Sequence, residues 1–152
     1  MARVSKMYTM LISSLLALLG FSGAGCGNSN QFGYAEYGSP SATYKVTGTA
    51  VSEADDTPIE GIRAELVEDI TDVNPITIAY TDSNGSFSLE GSAFPHLKLY
   101  VLLTDVDGSE NGSFAVKQID ADFTDATFTG GSGNWYEGKA EMDLGTIKMQ
   151  SE

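Results

Sequence analysis

Asp105, Asp107, Glu110 and Asn111 place four oxygen-bearing side chains within seven residues, with Gly108 among them. A hard cation such as Ca²⁺ takes about six to eight oxygen ligands, and closely spaced carboxylates around a glycine bend supply several. Asp120 and Asp122 are further donors if the fold brings them near. The spacing is not an EF-hand, because the glycine and the closing glutamate of that loop are both missing from their places. Asp-Gly and Asn-Gly are also ordinary turn formers. The segment therefore reads either as a plain acidic turn or as a Ca²⁺ site.

Trp135 and Tyr136 stand in a glycine-rich segment, Gly130-Gly131-Ser132-Gly133-Asn134-Trp135-Tyr136-Glu137-Gly138. Aromatic rings on such a loop either stack on a sugar or peptide or fold back over the end of a core. Both readings stand at this point.

Nucleophilic catalysis has little to work with. His96 is the single histidine, it follows Pro95 at the entrance to a strand, and no serine motif accompanies it. A hydrolytic reading rests on His96 or on a carboxylate pair, in a chain with no obvious cleft. No phosphate-cradling glycine loop and no dinucleotide fingerprint occurs.

The charge is one-sided: 21 acidic against 8 basic side chains, a formal net of −13. That surface repels phosphate backbones, which excludes nucleic acid and charge-driven binding to anionic headgroups. Divalent cations and basic partners remain compatible, as does a simple solubilising role.

Cys26 is the single cysteine, so no disulfide can form within the chain. Arg3 and Lys6 precede an apolar stretch from Met7 to Phe21, and Ser22-Gly23-Ala24-Gly25 supply small residues before the cysteine. That order predicts a secretory signal peptide over residues 1–25. The junction resembles a lipobox, although Gly23 stands where leucine is usual. The resemblance implies acylation of Cys26 as the first mature residue. Each buried methylene contributes about 0.8 kcal/mol, so several acyl chains hold a domain firmly at a membrane. Residues 26–41 then read as a polar, flexible tether. No acidic run follows Cys26, which points to the outer membrane facing the periplasm of a bacterial envelope.

The elements that must position these residues are strands. Thr43–Val51 alternates, with Tyr44, Val46 and Ala50 on one face and Gly48 interrupting as a bulge or a close backbone approach. Ile62, Ala64 and Leu66 form the inward face of a second strand. Tyr80–Leu89 reads as a hairpin closed by Asn84-Gly85, with Ile78 and Tyr80 sharing one face before the turn and Phe87 and Leu89 one after it. Leu97–Leu103 is the most hydrophobic run and predicts a central strand covered on both sides. Phe114–Phe123 and Ala140–Met149 change phase midway, the latter at Gly145. No segment past the leader keeps a 3.6-residue apolar stripe. About seven short strands predict an all-β, antiparallel β-sandwich over residues 42–152.

The residues Lys45-Val46-Thr47-Gly48-Thr49-Ala50-Val51, Thr57-Pro58-Ile59-Glu60-Gly61-Ile62-Arg63-Ala64 and Tyr80-Thr81-Asp82-Ser83-Asn84-Gly85-Ser86-Phe87 resemble the carboxypeptidase regulatory-like domain. The resemblance implies a transthyretin-like sandwich and no particular function. A second set extends the likeness over nearly the whole chain: Glu36-Tyr37-Gly38-Ser39-Pro40, Asp105-Val106-Asp107-Gly108-Ser109-Glu110-Asn111-Gly112 and Gly133-Asn134-Trp135-Tyr136-Glu137-Gly138. It is similar to the radical SAM-associated lipoproteins, small bacterial proteins whose genes lie beside a radical S-adenosylmethionine enzyme. That implies a lipid-anchored address and an enzyme neighbour, but no activity. With so little catalytic machinery in the residues themselves, the chain reads as a lipid-anchored, non-catalytic accessory module with an unknown protein, peptide or glycan partner. The resemblance also leaves open that the chain is the substrate of the neighbouring radical SAM enzyme.

Overall fold

The computed structural model describes residues 38–96 and 98–152. Cys26 and the leader lie outside the described residues. The compact unit runs from Gly38 to Glu152.

Among the described residues eight strands follow one another: β1 (Ser41–Ser52), β2 (Arg63–Val67), β3 (Thr77–Tyr80), β4 (Ser86–Ala93), β5 (Lys98–Thr104), β6 (Lys117–Asp122), β7 (Thr129–Gly130) and β8 (Tyr136–Met149). They form two four-stranded sheets, ordered β4-β1-β8-β7 and β3-β2-β5-β6. No helix occurs among the described residues. The fold is an all-β sandwich of two sheets. Most pairings are antiparallel, but β1 and β8 run parallel along nearly their whole length.

The core lies between the sheets, where alternation sends it. Tyr44, Val46 and Ala50 from β1 meet Ala64, Leu66, Leu99, Val101 and Leu103 from the facing sheet, all with no exposed surface. Burying a side chain of this size contributes about 1.5–3 kcal/mol relative to leaving it exposed. Tyr44 packs edge-on against Phe123, with ring centroids 4.9 Å apart, and against Phe128 at 5.9 Å.

Both glycine interruptions have physical causes. A methyl at Gly48 would sit 2.8 Å from the Phe87 ring and 3.1 Å from the Ile147 side chain, so Gly48 marks a close approach. Gly145 has φ +64, and the β1–β8 register skips a residue between Thr47/Asp143 and Thr49/Thr146. This is a bulge, and it accounts for the phase change between Leu144 and Ile147.

The expected hairpin around Asn84-Gly85 is corrected by the sheet topology. β3 and β4 belong to different sheets, so the turn is an arch that carries the chain across the sandwich. β4 pairs with β1 instead, from Thr49↔Ser86 to Ala42↔Ala93. The turn itself is tight: Asp82 Oδ1 accepts the amides of Asn84 at 2.8 Å and Ser86 at 2.9 Å. Gly85 has φ +72, and its carbonyl accepts the Ala50 amide at 2.8 Å, which draws the turn onto β1. Ile78 and Tyr80 do share a face, but it is the outer one, and they are 45% and 60% exposed.

A second expectation is corrected at β5. The strand is interior to its sheet, yet its second face is only half-covered, at Tyr100 and Leu102.

Candidate functional site

Asp105 leaves the end of β5 and spends its carboxylate on the backbone. Its Oδ2 accepts the Phe114 amide at 2.9 Å and its Oδ1 the Asp107 amide at 3.3 Å. Asp107 accepts from the Asn111 side-chain amide at 3.3 Å and lies over Gly61, where a methyl would come within 2.8 Å of its Oδ2. Partial desolvation, and then the neighbouring Asp105, push the Asp107 carboxyl above its ordinary range. Asn111 itself turns the chain with φ 61. Among the described residues, no three His, Cys, Asp or Glu side chains converge closely enough to hold a metal ion. The structure thus brings Asp105, Asp107 and Asn111 together as a hydrogen-bonded turn, and Glu110 stays exposed.

Asp120 and Asp122 do not join them, so the condition on which they would be further donors is not met. They pair with Tyr100 and Lys98, at the opposite end of β5 from Asp105. At the strand rise this separates them from Asp105 by roughly 17 and 23 Å.

A recurring use of aspartate emerges from the loops. Asp55, Asp69 and Asp122 each accept both the amide and the hydroxyl of the threonine two residues on, Thr57, Thr71 and Thr124, with hydroxyl contacts of 2.7, 2.6 and 2.5 Å. Those hydroxyl bonds, followed by the amide bonds, hold all three carboxyls below their ordinary range. These three carboxylates therefore close turns. The Asp-x-Thr spacing was present in the sequence as a signal for this.

The glycine-rich segment resolves into two surfaces. Tyr136 is the first residue of β8, and its hydroxyl donates to Thr43 Oγ1 at 3.1 Å. It lines an open cleft of about 330 Å³ with Phe128, Gly131, Gly133, Asn134 and Glu137. Trp135 does not line this cleft. Its indole lies over Gly38, where a methyl would approach within 2.8 Å, while its carbonyl accepts the Ser41 amide at 2.7 Å. It remains 44% exposed. Glu137 belongs to the glycine-rich segment already singled out, whereas Phe128 completes the cleft without any sequence signal, because the crossover from β6 to β7 delivers it.

His96 sits in the β4–β5 connection against Phe94, with ring centroids 5.9 Å apart. Its Nε2 lies 3.3 Å from Glu68 Oε2, off the hydrogen-bond direction, so this buried nitrogen has no hydrogen-bond partner among the described residues. Among the described residues no serine hydroxyl engages it. Its backbone, by contrast, is held by the Tyr44 hydroxyl from the core.

No protein-family model matches the chain, and no curated protein matches it. Solved structures do. The major pilin subunit of Bacillus cereus is 15% identical with TM-score 0.45, covering 73% of this chain and 31% of the pilin. The minor pilin of the gram-positive pathogen Streptococcus agalactiae is 14% identical with TM-score 0.37, covering 74% and 45%. The dioxygenase domain of a dioxygenase–carbohydrate-binding fusion from Streptomyces sp. SirexAA-E is 15% identical with TM-score 0.39, covering 75% and 83%. The chain thus spans about a third of the Bacillus pilin. These are likenesses of fold.

Proposed function

We propose that the protein is a non-catalytic binding module of the bacterial envelope, anchored through an acylated Cys26. It captures a peptide, protein or glycan at the cleft beside β8. The observation that carries this reading is the pairing, in one cleft of about 330 Å³, of two aromatic side chains, Phe128 and Tyr136, with the polar groups of Asn134 and Glu137. Aromatic rings give area for stacking, and an amide with a carboxylate gives hydrogen bonds to hydroxyls or amines. The likeness to carboxypeptidase regulatory-like domains and to radical SAM-associated lipoproteins supports the address and the accessory role. The employment of carboxylates in turn closure supports a binding role over a reactive one.

Trp135 is the only tryptophan and is the immediate neighbour of Asn134 and Tyr136, so its emission reports on the cleft. Soluble oligosaccharides and envelope peptides are titrated against the protein purified from its own membrane. A saturable emission change in one class, lost in Asn134→Ala with Glu137→Gln at unchanged melting temperature, is expected. No response from any class, or a response indifferent to both substitutions, overturns the reading. Release of the protein from the membrane fraction on Cys26→Ser tests the anchor separately.

A further inference from the structure

One long stretch of β8 is paired on a single side. β1 covers one edge throughout, from Ser41↔Tyr136 to Ser52↔Met149. On the other edge β7 reaches only Gly138 and Lys139, and the next contact is Ala115, whose amide donates to the Gln150 carbonyl at 2.8 Å. Between them, among the described residues, no strand pairs with β8. The open stretch covers about ten residues, roughly 30 Å at the strand rise. Unpaired strand edges of this length recruit further strands unless they are blunted.

The side chains around this edge define what it would accept. Met142 and Leu144 on β8 and Ile119 on β6 are only partly buried, although they pack against the core. β6 is itself the outer strand of its sheet. Along this side β8 is held at two places, at Lys139 by Thr129 and at Gln150 by Ala115, and between them it carries the partly buried Met142 and Leu144. Glu141 and Asp143 alternate with these on the outer face, where they wall a recess of about 320 Å³ against Lys45 and Thr47 of β1. Backbone direction is fixed near the end of the strand. The Met149 carbonyl accepts from Glu53 on the β1 side and that of Gln150 from Ala115 on the other. Alternation then points the peptide groups of Thr146 and Lys148 outward.

We propose that this edge of β8 is a strand-addition site for an extended basic segment of a partner protein. Its inward residues are small aliphatic ones that reach Met142, Leu144 and Ile119, and its outward residues are lysines or arginines facing Glu141 and Asp143. Main-chain hydrogen bonds give affinity in this mode and the alternating pockets give specificity. A second copy of the chain is disfavoured as occupant, because it would set Glu141 and Asp143 of two molecules of net charge −13 against each other. The bulge at Gly145, whose amide donates to Asp143 Oδ1 at 2.9 Å, blunts the edge midway and limits unspecific pairing. This site is distinct from the Tyr136 cleft and does not depend on it.

The test uses the full-length protein purified in detergent from its own membrane. Three synthetic peptides of alternating residues serve as probes: lysine–valine, glutamate–valine, and lysine–valine with alternate amides N-methylated. The lysine–valine peptide is expected to bind saturably and to slow amide exchange at Thr146 and Lys148 at least tenfold. N-methylation, which keeps the charge and removes main-chain donors, is expected to weaken binding at least tenfold, as is Glu141→Gln. Equal binding of the N-methylated peptide, equal binding of the glutamate peptide, or unchanged exchange at Thr146 and Lys148 overturns the proposal. So does a stable homodimer in which those amides are already protected.

Discussion

The hydroxyl of Tyr44 donates to the His96 carbonyl at 2.9 Å and accepts the His96 amide at 2.6 Å. One buried phenol thus satisfies both backbone groups of a residue 52 positions away, in the connection that carries the chain from β4 in one sheet to β5 in the other. Tyr44 has no exposed surface, and the His96 backbone it holds is partly buried.

Tyr44→Phe keeps the ring and its contacts with Phe123 and Phe128 while orphaning that amide and carbonyl. The expected loss is about 2 kcal/mol of unfolding free energy, read from urea denaturation. A loss below about 0.5 kcal/mol would show the His96 backbone finds other partners.

Burial, as the largest cause, raises the Tyr44 phenol above its ordinary value of 10.0. A raised folded-state value means that stability is intact below the ordinary value and falls as pH rises through the folded one. Stability is therefore expected to decline above about pH 10. The decline should be shallower in Tyr44→Phe; the residual slope belongs to Lys139 and Lys148, both raised by their hydrogen bonds to carboxylates. Equal slopes in the two proteins would remove Tyr44 from the alkaline limb.

The acid limb belongs to the Asp-x-Thr turns. Asp55, Asp69 and Asp122 lie below their ordinary value of 3.8, so their contribution is complete above that value and disappears as pH falls through the folded ones. Replacing all three with asparagine keeps an acceptor and removes the titration. Melting temperature between about pH 4 and pH 2 should then fall less steeply than in the parent protein. Parallel curves would contradict this assignment.

Asp107 runs the other way. Its raised carboxyl means that ionisation at neutral pH opposes folding, so Asp107→Asn is expected to raise the melting temperature in chelator. Asp105→Ala should lower it, because Phe114 and Asp107 lose their amide acceptor. Millimolar Ca²⁺ discriminates further: a stabilisation present in the parent and absent in Asp105→Asn with Asp107→Asn would establish the turn as a cation site.

The arch is tested at Gly85. Alanine there meets both a left-handed φ of +72 and the Ala50 carbonyl, a backbone atom that cannot step aside. Gly85→Ala is expected to cost about 2 kcal/mol or more. Gly108→Ala, with φ +76 and open space around it, isolates the conformational part and should cost about 1 kcal/mol. Equal losses at both sites would show that the turn does not press on β1.

Alternation in the sequence determined which side chains face inward: Tyr44, Val46 and Ala50, then Ile62, Ala64 and Leu66, then Leu99, Val101 and Leu103. It also placed the interruption at Gly145, which breaks the period of two that burial otherwise enforces, whereas Gly48 keeps the inward phase of Tyr44, Val46 and Ala50. The partnership of strands was not legible. Backbone hydrogen bonds are the same for every residue, so the sequence around Asn84-Gly85 specified a tight turn without specifying whether its arms pair together. Only the tertiary structure gave β4 to β1, set β1 and β8 parallel, and turned Ile78 and Tyr80 outward. The candidate sites divide in the same way. Proximity in sequence placed Asp105, Asp107 and Asn111 in one turn, where local hydrogen bonds suffice. The distance of Asp120 and Asp122, the separation of Trp135 from the Tyr136 cleft and the uncovered edge of β8 all depend on which strand lies beside which.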